Sequence, residues 1–209
     1  MSYVKHFLVF VRIWLLSFLV CAVVVAFSFA HMDVPIALHV WQGGRFLSPL
    51  NGAFGAAVIL SLEAAVALSL ILTRVVRGHI APLGEALAIA CLASICAYGM
   101  NSAVLKPFFG VPTPAEVMEG AGHSLNFLQG SGNSSFPSGH MVLAGAFAGV
   151  FMSLYSASAR LLSALLLLAA GLLVFGGWHF LSDVIAGAFA GVSAGILAGE
   201  AWAVHKLPP

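Results

Sequence analysis

The sequence predicts an all-α fold: a polytopic membrane bundle of six transmembrane helices with both termini in the cytoplasm. The first observation behind this is composition, because hydrophobic residues make up 61% of the 209-residue chain and charged residues only 7%. A typical soluble domain has about 25% charged residues. A soluble fold of this length therefore has too little polar surface to cover its apolar residues, and the lipid bilayer must be its solvent.

The second observation is the number of apolar stretches, since a helix across the hydrocarbon core needs roughly 20 residues. Six stretches meet this length, at about 7–30, 50–73, 82–105, 138–157, 161–176 and 182–203. We interpret the first as a retained span because it is long and lacks a small-x-small cleavage site, unlike a signal peptide. The whole chain, 1–209, is predicted to form one membrane domain.

The third observation is the distribution of lysine and arginine, which sets orientation. If the connections alternate sides, one side carries Lys5, Arg12, Arg74, Arg77, Arg160 and Lys206, and the other carries Arg45 and Lys106. The positive-inside rule places the first group and both termini in the cytoplasm. Segments 31–49, 106–137 and 177–182 then face outward. The long extracytoplasmic loop 106–137 is expected to lead into a site, because loops of this length are usually functional or disordered.

Small residues recur every four positions in the fourth and sixth stretches. Gly145 and Gly149 do so in the fourth, and Gly187, Gly191, Gly195 and Gly199 do so in the sixth. Small-xxx-small faces let helix backbones approach closely in lipid, so we predict that these two spans pack together. Glu63 lies in the middle of the second stretch, where we expect protonation or pairing within the bundle to neutralise it.

Two outward helix entrances carry unusual chemistry. One reads "GGWHFLSD", in which His179 and Asp183 are four residues apart and share a face on a helical entry. A carboxylate at that offset can accept the Nδ1 proton of the imidazole, which leaves Nε2 as a nucleophilic lone pair. Taken singly, the histidine is an ordinary interfacial residue and the aspartate complements the helix dipole.

The other entrance reads "FPSGH", which places Ser138, Gly139 and His140 where the fourth span begins. A helix N-terminus has unpaired N–H groups and a positive dipole end, so it binds anions. Ser138 alone is simply a helix cap. With His140 as an acid and Lys106 at the same membrane face, however, the set suits phosphoryl transfer.

These residues resemble the type 2 phosphatidic acid phosphatase superfamily, which includes lipid phosphate phosphatases, bacterial undecaprenyl pyrophosphate phosphatases and vanadium haloperoxidases. Its motifs read K-x6-R-P, P-S-G-H and S-R-x5-H-x3-D. The first aligns with "KPFFGVPTP", the second is intact at residues 137–140, and the third aligns with "LLVFGGWHFLSD". Motif order, spacing and topology agree over nearly the whole chain.

The resemblance implies a role for each matching residue. His179 is the nucleophile that forms a phosphohistidine, Asp183 orients it, and His140 protonates the leaving group and then activates water. Lys106, Ser138 and the Gly139 amide hold the phosphate oxygens. No metal and no other cofactor is implied, and the sequence offers no carboxylate cluster for Mg²⁺.

The chain departs from the family pattern at both arginines. Thr113 stands at the first arginine position, and Leu172–Leu173 replace Ser-Arg in the third motif. Each arginine normally supplies charge and a bidentate fork to phosphate. Three explanations stay open: Arg45 substitutes as the cation, the substrate carries less charge (a diester, for example), or the protein binds lipid phosphate without hydrolysing it.

The leading hypothesis is an integral membrane phosphatase or phosphotransferase that acts on a polyprenyl or glycerolipid phosphate at the outer face of a bacterial cytoplasmic membrane. The alternative is a binding or transport protein that retains the fold and lacks the chemistry. The expected partners are the lipid-phosphate substrate and membrane lipids. Nucleic acid is not expected, because the net charge is only +1. The oligomeric state is not indicated.

Overall fold

The computed structural model describes residues 2–43, 55–119, 128 and 134–206. Within these ranges every regular element is helical and no strand occurs. The helices are α1 (Ser2–His31), α2 (Asp33–Gln42), α3 (Ala56–Arg77), α4 (Pro82–Met100), α5 (Lys106–Phe109), α6 (Pro114–Met118), α7 (Gly139–Leu154), α8 (Ala159–Phe175) and α9 (Leu181–His205). A π-helical turn, Asn101–Leu105, joins α4 to α5. Arg45 and residues 120–127 and 129–133 of the predicted outward loop lie outside the described residues.

Five segments of the described chain are long and apolar enough to cross a membrane. They are Leu8–His31, Ala56–Arg77, Pro82–Met118, Ser156–Phe175 and Leu181–His205. The predicted fourth span is the shorter apolar helix Gly139–Leu154, about 24 Å long at 1.5 Å per residue. The all-helical membrane fold is therefore confirmed, while the count of six spans and the orientation of the termini stay predictions.

The outer helices present apolar side chains away from the bundle. Val23 on α1 is 69% exposed, Val76 on α3 is 82% exposed and Leu167 on α8 is 74% exposed. In water, contiguous apolar surfaces of this kind would drive aggregation. In a bilayer they are the solvated face, so the hydrophobic excess of the sequence lies where lipid tails contact it.

The predicted packing of the fourth and sixth spans is confirmed as the contact between α7 and α9, the most extensive in the described bundle. Gly191 lies against the backbone of Val142, and Gly195 lies against the backbone of Ala146. From the other side, Gly149 lies against the backbone of Val192. Because the glycines have no Cβ, the two backbones come into direct contact. The remaining helices surround this pair, with α4 against both members, α3 against α4 and α1 against α9.

Helix α2 is an element that the hydropathy pattern did not predict. It follows α1 after a bend at Met32, and it packs against α6, α8 and α9. Its N-terminal residue, Asp33, is 1% exposed. The segment interpreted only as an outward connection thus contains a helix that reaches the entrance of α9.

Two glutamates, one at the end of the bundle away from the α9 entrance and one in the middle of α3, have polar partners. Glu85 binds both Arg74, at 2.8 Å, and Lys206, so these two cations lie at one end, as the charge distribution predicted. Glu63 Oε1 accepts a hydrogen bond from Ser94 Oγ at 2.9 Å. Glu63 thus has a neutral hydrogen-bond partner within the bundle, and its neutralisation by protonation or pairing stays a prediction.

The α7–α9 contact gives a test of the packing. Gly195→Ala places a methyl group against the backbone of Ala146 and Gly149, where neither partner can move without separating the helices. We expect a cost of about 1–3 kcal/mol, typical of overpacking, and a lower thermal-unfolding midpoint in detergent. Gly171→Ala on α8 is the matched control, because a Cβ there meets no atom within 4 Å. Equal midpoints for the two variants would contradict the packing.

Candidate active site

The entrance of α9 is built around the Asp183 carboxylate, which is fully buried. Asp183 is the third residue of the helix, and its Oδ2 accepts the N–H of Phe180, the N-cap residue, at 2.9 Å. The same oxygen lies 3.3 Å from Nδ1 of His179. The predicted pair therefore forms, although His179 precedes the helix and is positioned by the turn between α8 and α9 rather than by helical periodicity.

His140, the second residue of α7, faces this pair. Its Nδ1 lies 3.4 Å from Nε2 of His179, and the ring centroids are 5.6 Å apart. Since an ionised carboxylate can only accept, the tautomer of His179 that fits this contact has its proton on Nδ1. In that tautomer Nε2 of His179 carries the lone pair and can accept a hydrogen bond from Nδ1–H of His140. The sequence predicted that all three residues lie at one membrane face. In the structure His140 contacts His179, and His179 contacts Asp183.

Ser138 is the N-cap of α7, as one alternative from sequence held. Its Oγ accepts the Met141 N–H at 3.4 Å, and its side chain is fully buried. Its own N–H donates to the carbonyl of Asp183 at 3.0 Å, and Gly187 lies against its backbone. These contacts fix the start of α7 directly against the first turns of α9.

Gly139 begins α7 beside two residues of α4 and the π-helical turn. A Cβ at Gly139 would lie 2.8 Å from Cε2 of Tyr98. Asn101, which is 1% exposed, donates from Nδ2 to the carbonyl of Pro137 at 3.2 Å. Neither Tyr98 nor Asn101 was singled out from sequence. Both hold the "PSGH" segment from the side of α4.

Lys106 follows the π-helical turn as the first residue of α5, and it is half-buried. It lies within electrostatic reach of Asp183. The structure therefore brings the predicted lysine to the same end of the bundle as the histidines. A π-helical turn is often found at functional sites, and here it directly precedes Lys106.

Neither position of the family arginines supplies a cation. Thr113 caps α6: its hydroxyl donates to Glu116 Oε2 at 2.9 Å and accepts the Glu116 N–H at 3.3 Å. Leu173 is 5% exposed and packs in an apolar cluster with Met141 and Val184, whereas Leu172 points outward. The hydroxyl proton of Thr113 is thus already donated within α6, and its role in phosphate binding stays a prediction.

Asp33 is the residue at this end that sequence reasoning missed. Its carboxylate accepts the N–H of Ser182 at 3.0 Å and the Ser182 hydroxyl at 2.5 Å. Burial raises the pKa of Asp33, the hydrogen bonds from Ser182 lower it, and the negative charge of Asp183 raises it; the net direction is upward. The available signal was a lone aspartate between two apolar runs, "HMDVP".

The described residues contain no group of three or more His, Cys, Asp or Glu side chains placed to hold a metal ion. The chemistry that this part of the chain offers is an oriented imidazole, a second imidazole, a lysine and a helix N-terminus. Together these suit attack on, and stabilisation of, a phosphoryl group.

The contact between Gly139 and Tyr98 can be tested by compensation. Gly139→Ala forces the Tyr98 ring or α4 to move, and we expect a loss of stability of about 1–3 kcal/mol. Adding Tyr98→Leu removes the ring atoms that the new methyl group meets, so the double variant should recover part of that loss. The measurement is a double-mutant cycle of thermal unfolding in detergent. Strictly additive effects of the two substitutions would contradict the contact.

Comparison with known proteins adds one match and two negative findings. A family model described as the PAP2 superfamily matches residues 84–204, which is more than half of the chain and includes the histidines, Lys106 and Asp183. No curated protein and no solved structure matches the chain. Members of this superfamily are generally phosphatases, which supports a phosphatase-type activity on phosphorylated lipids. With its apolar helices and this match, the chain is an integral membrane protein that belongs to the type 2 phosphatidic acid phosphatase superfamily.

Proposed function

We propose that this protein is a metal-independent phosphatase or phosphotransferase that acts on a lipid-linked phosphate of polyprenyl or glycerolipid type through a phosphohistidine intermediate. The single observation that carries the proposal is the chain of contacts from His140 to His179 to Asp183 at 3.4 Å and 3.3 Å. An imidazole held in one tautomer by a buried carboxylate, with a second imidazole at its free nitrogen, is a nucleophile beside an acid–base group.

In the first step Nε2 of His179 attacks phosphorus, and the bond from phosphorus to the lipid oxygen breaks. His140 acts here as the imidazolium: it donates its Nδ1 proton to the leaving oxygen and becomes neutral, while Asp183 stabilises the positive charge on His179. In the second step His140 takes a proton from water, and the hydroxide attacks phosphorus. The N–P bond breaks, phosphate leaves and both histidines return to their starting states. If an alcohol replaces water in this step, the result is transfer instead of hydrolysis.

The substrate has to separate the two histidines before reaction. A distance of 3.4 Å between His140 Nδ1 and His179 Nε2 is a hydrogen-bond distance, whereas a phosphoryl group must itself approach to about 3–3.5 Å from the attacking atom. We therefore infer that the phosphoryl group displaces the His140 ring from Nε2. The same proton that His140 directs at Nε2 in the resting site is then directed at the leaving oxygen.

The phosphate oxygens are proposed to bind at Lys106 and at the N-terminus of α7, with Ser138 and the Gly139 amide contributing. The first turn of a helix has unpaired N–H groups and a partial positive charge, which together stabilise an anion. Arg45 is proposed as a further cation and Thr113 as a further donor, both on the sequence alignment alone.

We further propose that the site faces the exterior of a bacterial cytoplasmic membrane. The pairing of Arg74 and Lys206 with Glu85 supports the assignment of these cations to one end of the bundle. The positive-inside rule would place that end in the cytoplasm. Lys106 follows α4 at its far end from Glu85, so the site would open outward.

The alternative function is non-hydrolytic binding or transport of a lipid phosphate. The observation that favours it is the absence of a cation at both family arginine positions, with Thr113 used as a helix cap and Leu173 packed in the core. Loss of one donor to a transition-state oxygen costs on the order of 10²–10³ in rate. Binding without measurable turnover is the outcome that this alternative predicts.

The direct test is phosphate release by the purified protein in detergent, with dioleoyl phosphatidic acid, farnesyl pyrophosphate and the diester phosphatidylglycerol as probes. We expect release from at least one probe, and His179→Ala should lower the rate by at least about 10³-fold, as for removal of a catalytic nucleophile elsewhere. His79→Ala is the matched control, because His79 is an exposed histidine in the connection between α3 and α4, before the end of α4 that is far from Lys106. No release from any probe, with phosphatidic acid still bound, would support the alternative.

The order of steps predicts a difference between the two histidines. With p-nitrophenyl phosphate the leaving group needs no acid, so His140→Ala should still form the phosphoenzyme. It should then hydrolyse the intermediate slowly, because no base activates water. We expect an acid-labile, base-stable phosphohistidine to accumulate at residue 179, detected by mass spectrometry. No phosphoenzyme in His140→Ala during turnover of this substrate by the wild type would contradict the mechanism.

A further inference from the structure

Asp33 is a buried acidic residue that the proposed chemistry does not use. It lies 1% exposed at the start of α2, in a part of the chain that the family match at 84–204 does not include. A carboxylate removed from water is costly unless its oxygens are hydrogen-bonded. The hydrogen-bond partners of Asp33 therefore indicate why a carboxylate is buried at this position.

Both carboxylate oxygens of Asp33 bind the first turn of α9. Oδ1 accepts the Ser182 N–H at 3.0 Å, and Oδ2 accepts the Ser182 hydroxyl at 2.5 Å. The first N–H groups of a helix have no partner within the helix. Asp33 supplies that partner from another helix, across 149 residues of sequence.

The turn that Asp33 binds is the turn that carries Asp183. Ser182 directly precedes Asp183, whose Oδ2 receives the N–H of Phe180 and lies 3.3 Å from His179 Nδ1. The carbonyl of Asp183 also receives the N–H of Ser138. Movement of the Ser182 backbone would thus change the distance between Asp183 and His179 and would shift α9 against the start of α7.

We propose that Asp33 is a positioning residue of the active site: through Ser182 it fixes the first turn of α9, so that Asp183 holds His179 with Nε2 free for attack. The proposal rests on the proposed function, in which His179 is the nucleophile. It extends the functional unit beyond the family-matched region, because a residue of α2 completes the support of the proposed catalytic pair at the entrance of α9.

An ordinary stabilising contact would make a different prediction. Loss of a cap lowers the free energy of unfolding but leaves the folded enzyme with the same kcat. Loss of a positioning contact lowers kcat in the folded enzyme and leaves KM unchanged, because substrate binding does not require the His179 tautomer. The separation of kcat from KM therefore distinguishes the two roles.

The test uses Asp33→Asn, Ser182→Ala and the double variant, with Val34→Ala as the matched control on the exposed side of α2. Asparagine can still accept the Ser182 N–H, but its amide nitrogen cannot accept the Ser182 hydroxyl. We expect kcat for dioleoyl phosphatidic acid to fall on the order of 10²-fold in Asp33→Asn, as for a small misplacement of a reacting group. KM should stay at the wild-type value, and Val34→Ala should retain the wild-type kcat.

The double variant should be no slower than Asp33→Asn alone, since both substitutions break one interaction. Wild-type kcat in Asp33→Asn, or fully multiplicative effects in the double variant, would overturn the proposal. If Asp33→Asn does not fold, Ser182→Ala carries the test: it removes the hydroxyl bond and retains the backbone N–H bond, and an unchanged kcat would again overturn the proposal.

A second readout does not depend on turnover. In protein labelled with ¹⁵N-histidine, the signal missing in His179→Ala identifies His179, and its shifts report the tautomer. We expect the Nδ1–H form in the wild type and a rise in the Nε2–H form in Asp33→Asn. If the wild type releases no phosphate, the proposed function fails, and this measurement alone decides the positioning role. An unchanged tautomer population in Asp33→Asn and Ser182→Ala would overturn it.

Discussion

The arrangement of this protein depends on the direct backbone contact between α7 and α9. Gly187 lies against the backbone of Ser138, and the Ser138 N–H donates to the carbonyl of Asp183 at 3.0 Å. Together these contacts fix the register of the two helices at their entrances. One helical turn is about 5.4 Å, so a slip by one turn would separate His140 from His179. The close glycine packing that lets helices associate in lipid therefore also brings His140 and His179 together.

The entrances of α7 and α9 are both helix N-termini, but the residues that cap them differ in charge. The first N–H groups of each helix have no partner within the helix, and they give that end a partial positive charge. At α9 those groups are bound by the carboxylates of Asp33 and Asp183, whereas α7 is capped by the neutral side chain of Ser138. In the proposed mechanism, the negative charge at α9 favours the positive imidazole that attack on phosphorus would create. The start of α7 retains the positive potential on which the proposed binding of phosphate depends.

Much of this site could be predicted from sequence because its signals are local. His179 and Asp183 are four residues apart, "PSGH" is contiguous, and the glycine repeats alone predict the contact between α7 and α9. Helix α2 was missed, because hydropathy alone does not separate a ten-residue helix from a connection. Asp33 was missed because its partner is 149 residues away, and the positions of Tyr98 and Asn101 beside α7 follow from packing of α4, which has no local pattern. The fourth stretch was predicted to end at about residue 157, whereas α7 ends at Leu154 and a short 3₁₀ helix, Ser156–Ser158, follows it.

The absence of a cation at the two family arginine positions affects which substrate charge the site would favour. Two unit charges 4 Å apart interact by about 4 kcal/mol at an effective dielectric constant of 20. A cation therefore stabilises a doubly charged monoester roughly twice as strongly as a singly charged diester, and removing cations penalises the monoester more. With leucine in the core at 173 and a capping threonine at 113, we expect a preference for the less charged substrate, unless Arg45 restores the charge. The measurement is the ratio of monoester to diester turnover in the wild type and in Arg45→Ala. A much lower ratio in the variant would identify Arg45 as the replacement cation. An unchanged ratio would assign the substrate preference to the described residues.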